Sequence, residues 1–155
     1  MKYPLGIFLV FVLLGGGCAD VPTSVGLSVT KKVTVLDLSG LGLTSIPSDV
    51  FSRTELVELN LSSNRLTGAP QAEIRHLQNL KALDLSDNAL TGLPAELGQL
   101  KNLQTLNVSN NKLTGLPLEL GNLTQLRLLD VSGNDYSKQD LDQIAAKLTQ
   151  TEIRR

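Results

Sequence analysis

The chain has one cysteine, one histidine and no tryptophan in 155 residues, and its aromatics stop at two Tyr and three Phe. A lone cysteine excludes an internal disulfide and a paired-cysteine zinc site. A lone histidine excludes a multi-histidine metal centre, and His76, beside Leu77, reads as an ordinary solvent-edge residue. Neither sign of charge dominates. Fourteen basic and fifteen acidic side chains give a net charge of −1, without the basic patch that nucleic acid requires. Neither a G-x-S-x-G elbow nor a glycine-rich dinucleotide or phosphate loop occurs. No catalytic residue, cofactor or metal is expected. The length is that of one domain.

What the chain has instead is leucine, 33 residues of it. The first of these lie in a short N-terminal run. Lys2 gives a basic start, Leu5 to Leu14 reads LGIFLVFVLL, and Gly15, Gly16 and Gly17 follow. A charged start, an apolar run of this length and small residues after it describe a secretory signal peptide over 1–17. The run is too short to span about 30 Å of hydrocarbon as a helix.

The only cysteine, Cys18, stands immediately after the glycines. That placement resembles a bacterial lipoprotein lipobox, in which the cysteine is diacylated and becomes the first mature residue. The usual box has Leu, two small residues and then Cys. Here Gly15 holds the Leu position and Leu14 lies one step further out. The resemblance implies an exported protein, lipid-anchored through Cys18 to an outer membrane or cell surface, and Ala19 fits lipoproteins sorted to an outer membrane. Plain cleavage to a secreted or periplasmic form is the fallback.

The rest of the chain repeats. Leu56-Val57-Glu58-Leu59-Asn60-Leu61-Ser62-Ser63-Asn64-Arg65-Leu66 opens one unit and Leu80-Lys81-Ala82-Leu83-Asp84-Leu85-Ser86-Asp87-Asn88-Ala89-Leu90 opens the next. Equivalent stretches start at Val33, Leu103 and Leu126, so the period is 23 residues with a single extra residue near Ala69-Pro70-Gln71. The second halves match as well: Leu93-Pro94-Ala95-Glu96-Leu97-Gly98-Gln99-Leu100 beside Leu116-Pro117-Leu118-Glu119-Leu120-Gly121-Asn122-Leu123.

Alternation such as Leu83-Asp84-Leu85 makes a three- to four-residue strand with its leucines on one side. One such strand cannot bury its face alone, so the copies must stack, with strands about 4.8 Å apart in a parallel sheet. Leu90, Leu93, Leu97 and Leu100 would close the core from the return side. Pro47, Pro70, Pro94 and Pro117 fix φ where each return segment begins, and the stretch after each is long enough only for a helical or 3₁₀ turn.

The pattern L-x-x-L-x-L-x-x-N-x-L resembles the leucine-rich repeat family over residues 33 to about 136. The resemblance implies an α/β fold: a right-handed leucine-rich-repeat solenoid, a horseshoe segment with short parallel strands on its concave face. Five repeats are expected (33–55, 56–79, 80–102, 103–125 and 126–136), preceded by a tether and N-terminal cap at 18–32 and followed by a C-terminal cap at 137–155. The Leu27 to Thr30 run fits either an edge strand or a tether. Ser137-Lys138-Gln139-Asp140 resembles a capping box with Asp for the usual Glu. Leu141, Ile144, Ala145 and Leu148 follow at helical spacing, predicting a capping helix of about three turns and then a short strand at Thr151-Glu152-Ile153.

Asn64, Asn88, Asn111 and Asn134 share one register. They are expected to bond backbone groups left unpaired where strand becomes loop, and the family resemblance implies the same, a stack of amides inside the coil. On this reading Asn88→Ala is far more damaging than Asn110→Ala.

Binding is expected on the outward side of the sheet. One column reads Asp37, Asn60, Asp84, Asn107, Asp130, and its neighbour is five serines, 39, 62, 86, 109 and 132. More variable columns read Val35, Glu58, Ala82, Thr105, Leu128 and Gly40, Ser63, Asp87, Asn110, Gly133. The candidate binding residues are Glu58, Asp84, Asp87, Asn107, Asn110 and Asp130. This patch is mildly acidic and lacks the Trp and Tyr that anchor tight interfaces, so weak or multivalent protein or glycan binding is expected. The alternative is a structural envelope protein without a dedicated ligand.

Overall fold

The computed structural model describes residues 34–155. Cys18, the 1–17 signal and the Leu27 to Thr30 run lie outside them.

Eight short strands are present: β1 Val35–Asp37, β2 Glu58–Asn60, β3 Thr67–Gly68, β4 Ala82–Asp84, β5 Ala89–Leu90, β6 Thr105–Asn107, β7 Leu128–Asp130 and β8 Glu152–Arg154. Six of them form one parallel sheet in the order β1-β2-β4-β6-β7-β8. Its central column is Leu36, Leu59, Leu83, Leu106, Leu129 and Ile153, each paired with the next. The four interior leucines of that column are at most 2% exposed, because strand alternation turns them all to the same side. Leu36 and Ile153 are only partly buried at the two ends of the row.

β1, β2, β4 and β6 each return through a 3₁₀ turn: Ser48–Ser52, Ala72–His76, Ala95–Gln99 and Leu118–Asn122. Pro47, Pro94 and Pro117 stand directly before three of these turns. In the second unit the extra residue, Gln71, comes between Pro70 and the turn. Its amide then donates to the Ile46 carbonyl of the preceding unit at 3.1 Å. Val50, Ile74, Leu97 and Leu120 point from the turns into the core and are at most 1% exposed. Sheet leucines and turn leucines thus meet across one continuous apolar interior, the architecture of a solenoid in which each unit buries its face against its neighbours.

The C-terminal end differs from expectation in two details. Helix α1, Lys138–Ala145, has eight residues, about two turns, where three were predicted. Ser137 is its N-cap, but no side-chain cap bond forms. The Asp140 carboxylate instead accepts the Leu116 N–H at 3.3 Å. Asp lacks the methylene with which Glu reaches back in a capping box, and the helix starts directly beneath Leu116. Leu141, Ile144 and Leu148 are buried against the last repeat, so the helix covers the end of the core. The strand at 152–154 pairs with β7 and adds a sixth rung. The two-residue pair β3–β5 on the far side of the asparagines was not foreseen.

Candidate functional site

The outward side of the six-stranded sheet is built from regularly repeating polar side chains, and its columns divide by what their atoms are already doing. In the Asp/Asn column every Oδ1 accepts the N–H of the serine two residues on: Ser39 to Asp37 at 2.9 Å, Ser62 to Asn60 at 3.0 Å, Ser86 to Asp84 at 2.9 Å, Ser109 to Asn107 at 3.1 Å and Ser132 to Asp130 at 3.1 Å. The Ser86, Ser109 and Ser132 hydroxyls donate to the same oxygens at 2.6, 2.8 and 2.6 Å. These Asx turns close the strands. They need one carbonyl-like oxygen and nothing more, so Asp and Asn serve equally. One atom of Asp84, Asn107 and Asp130 is therefore structural, and only the other faces solvent. Asn107 donates its amide to the second oxygen of Asp84 at 3.2 Å.

Asp37 ends the row fully exposed. The Ser39 N–H first, and its hydroxyl second, hold its carboxyl below the ordinary 3.8, while slight desolvation opposes them. A carboxylate with a lowered folded pKa contributes stability above the unfolded value, lost as pH falls through the folded one. An NMR titration of Asp37 should therefore give a midpoint below 3.8. A midpoint at or above it would contradict the Asx turn.

Asp87 and Asn110 stand where the strand bends. With Gly40, Ser63 and Gly133 they form a column in the left-handed region, at φ of 65°, 55°, 54°, 53° and 66° in chain order. Their N–H groups reach the next repeat, Asp87 to the Ser109 carbonyl at 3.0 Å and Asn110 to that of Ser132 at 2.8 Å. Asn110 also donates its side-chain amide to Asp87 at 3.0 Å. Gly, Asn and Asp hold four of the five places in this column because they adopt positive φ most readily, so its composition reports the bend before it reports a ligand.

The column whose side chains are least engaged is Val35, Glu58, Ala82, Thr105, Leu128 and Glu152, adjacent rungs of the sheet, of which only Glu152 is bonded, to Arg154 at 2.8 Å. Between its members lies an open groove of about 330 Å³, lined by Val35, Asp37, Glu58, Ala82, Asp84 and Thr105, among others. Of the six candidate binding residues the structure gathers Glu58, Asp84 and Asn107 at this groove. Asp130 continues the row beyond it, and Asp87 and Asn110 sit at the bend. Glu152 and Arg154, which pair with Leu128 and Asp130, belong to the same face. The Thr151-Glu152-Ile153 alternation signalled them, but β8 was too short to be assigned a facing side from sequence.

The four register asparagines are elsewhere, inside the turn. Asn111 donates to the carbonyls of Leu85, Val108 and Ser109 at 3.0, 3.1 and 3.2 Å and accepts from the Leu90 N–H at 3.0 Å. Asn64, Asn88 and Asn134 make the same four bonds in their own units. Each amide therefore joins two repeats.

Among the described residues no group of His, Cys, Asp and Glu could hold a metal ion, and no helix is long and apolar enough to cross a membrane. A stack of strand, asparagine turn and 3₁₀ return defines a solenoid repeat protein. The leucine rich repeat model matches residues 31–90, 54–113 and 78–135, and the chain belongs to that family. A leucine-rich repeat protein of Leptospira interrogans is 41% identical with a TM-score of 0.68, over 72% of this chain and 28% of its own. The ectodomain of the plant membrane receptor kinase GASSHO1/SCHENGEN3 from Arabidopsis thaliana, solved in complex with Casparian strip integrity factor 2, is 34% identical with a TM-score of 0.67, over 79% of this chain and 15% of that one. Tsukushi of Xenopus tropicalis is 37% identical over 57% of this chain and 27% of its own length. The chain thus spans under a third of each of these proteins. Domains of this family are in general non-enzymatic scaffolds that bind protein partners.

Proposed function

We propose that the chain is an exported, non-enzymatic display module of a bacterial envelope, which binds a protein, or a glycan, across the outward face of its sheet. In this reading residues 1–17 are a cleaved signal. Cys18 carries the lipid that holds the module to an outer membrane or cell surface, and 18–32 form the tether. The observation that carries the binding half is the Val35-to-Glu152 column with its groove. There Glu58, Ala82 and Thr105 have no bonding task within the repeat. The plant ectodomain solved with its peptide factor supports the use of this fold for protein recognition. The position of Cys18, directly after an apolar run and three glycines, supports the anchor, since two acyl chains hold a protein stably where one is marginal.

One experiment tests both halves. A photoreactive residue at Thr105 is activated in cells fed a labelled fatty acid, in the wild type and in Cys18→Ser. The expected result is a labelled membrane-bound protein carrying one defined protein or glycan adduct, with the label lost in Cys18→Ser. Equal labelling of Cys18→Ser overturns attachment at that thiol. Adducts only to other copies of the chain overturn the display reading in favour of a structural envelope protein.

A further inference from the structure

The groove on the sheet face is small-floored and bordered by negative charge on one side. Ala82 and Thr105 fill two neighbouring rungs with short side chains, between Glu58 on one side and Leu128 on the other. Rungs lie about 4.8 Å apart, so the dip between those two larger residues is wide enough for one long side chain. At its Ala82 end it meets Glu58 and the second oxygen of Asp84, whose first oxygen is held by Ser86. Asp37 stands one rung beyond Asn60, in the same lining. Across the first four rungs of the face Asp37, Glu58, Asp84 and Asp87 stand with a single cation among the described residues, Lys81. The later rungs carry Arg127 and Arg154 beside Asp130 and Glu152. Among the described residues only Asp49–Arg53 and Glu152–Arg154 form ion pairs. Glu58 and Asp84 have no cationic partner within that set.

We propose that this groove takes a Lys or Arg side chain from an extended segment of a partner protein laid across the strands. This deepens the display reading above and rests on it. The aliphatic stem lies over Ala82 and Thr105, and the head meets Glu58 and the second Asp84 oxygen, which otherwise accepts the Asn107 amide at 3.2 Å. Lys and Arg fit a site of this composition because they combine an apolar stem with a charged tip. From Val35 to Leu128 the stripe runs about 19 Å, the length of roughly six residues of extended chain. Every second side chain of such a segment faces the stripe. One enters the dip and the next meets the apolar end at Leu128. A glycan would use the Asx-turn oxygens instead, and those are occupied by the serines.

The test uses three peptides, acetyl-Thr-Val-X-Val-Thr-amide, with X as Lys, norleucine or Glu, titrated into the purified chain while the backbone amides of Glu58, Ala82 and Thr105 are followed by NMR. The Lys peptide is expected to bind weakly but about tenfold more tightly than the Glu peptide, the order of effect of reversing one charge at a partly exposed site. Glu58→Gln should weaken it about fivefold. Ala82→Leu should abolish the shifts by filling the dip. Val35 and Leu128 occupy the same column, so a Leu there is compatible with folding. Equal affinity for all three peptides, or unchanged Lys-peptide binding to Ala82→Leu, overturns the proposal. The Thr105 adduct separates this from the reading beneath it. An adduct in cells without a Lys preference leaves the display face standing and removes only the cationic occupant. Neither an adduct nor any shift removes both.

Discussion

Gly98→Ala should lower the melting temperature by about 10 °C, whereas Gly121→Ala, at the equivalent place one repeat later, should leave it nearly unchanged. A methyl on Gly98 would clash with the backbone of Glu119, lying 2.7 Å from its carbonyl carbon and closer still to its oxygen. That backbone cannot give way. It belongs to the turn at 118–122, which is fixed by the bonds from Leu120 N–H to the Pro117 carbonyl and from Leu123 N–H to that of Leu120, both at 3.1 Å. Relief therefore requires parting two turns whose leucines share one core, which costs about 2–3 kcal/mol. A methyl on Gly121 meets only Lys147, its Cδ at 2.7 Å and its Cβ at 3.3 Å. The Lys147 side chain is exposed and swings aside. Thermal denaturation of the two variants side by side checks this. Equal melting temperatures would mean that the two turns do not approach as closely as described.

Nothing in the sequence separates these two glycines. Leu97-Gly98-Gln99-Leu100 and Leu120-Gly121-Asn122-Leu123 are the same phrase, and the same register position holds Phe51 and Arg75 in the first two turns. The repeat does not need glycine there. The distance to the following element does, and that is set by what comes next, a 3₁₀ turn in one case and the turn after α1 in the other.

The same division runs through the whole chain. Period-2 leucines, return prolines and register asparagines are short-range rules repeated four or five times, so the stack, the strand positions and the buried column were legible. Features fixed by one contact were not. The Asp140 side chain turned from its own helix to the Leu116 N–H, and β3–β5 arises where Gly68 at φ 69° lets two loops run alongside each other. In the candidate site the sequence placed Asp and Asn on the outward face without showing what their atoms are bonded to. Asp and Asn look like ligand groups in a list of residues. Only the bonds from the serine N–H groups reveal that half of each is committed to a turn, and only the positive φ at Asp87 and Asn110 explains why those types stand at the bend.

Asn111→Ala should destabilise the protein by about 2–3 kcal/mol, while Asn110→Gly, one residue away, should change stability by less than about 0.5 kcal/mol. Asn111 is 8% exposed and spends all of its amide on backbone groups. All three of its acceptors have other donors: the Leu85 carbonyl also takes the Asn88 amide at 3.1 Å, that of Val108 the Asn134 amide at 2.9 Å, and that of Ser109 the Asp87 N–H at 3.0 Å. The Leu90 N–H has no such reserve among the described bonds, and Leu90 is 1% exposed. Alanine therefore leaves a buried donor unpaired, and an unmade bond costs more than a made one contributes. Asn110 is exposed and sits at φ 53°. Alanine there would carry a left-handed penalty of about 1 kcal/mol, which blurs a comparison of two alanine variants. Glycine removes the side chain without that strain and forfeits only the exposed bond to Asp87. Amide exchange gives the sharper reading, because a solenoid opens locally as well as globally. In Asn111→Ala the Leu90 amide should exchange about a hundredfold faster, the equivalent of the same free energy. In Asn110→Gly it should keep its protection. A Leu90 amide unaffected by Asn111→Ala would show that the asparagine stack does not carry the junction between repeats.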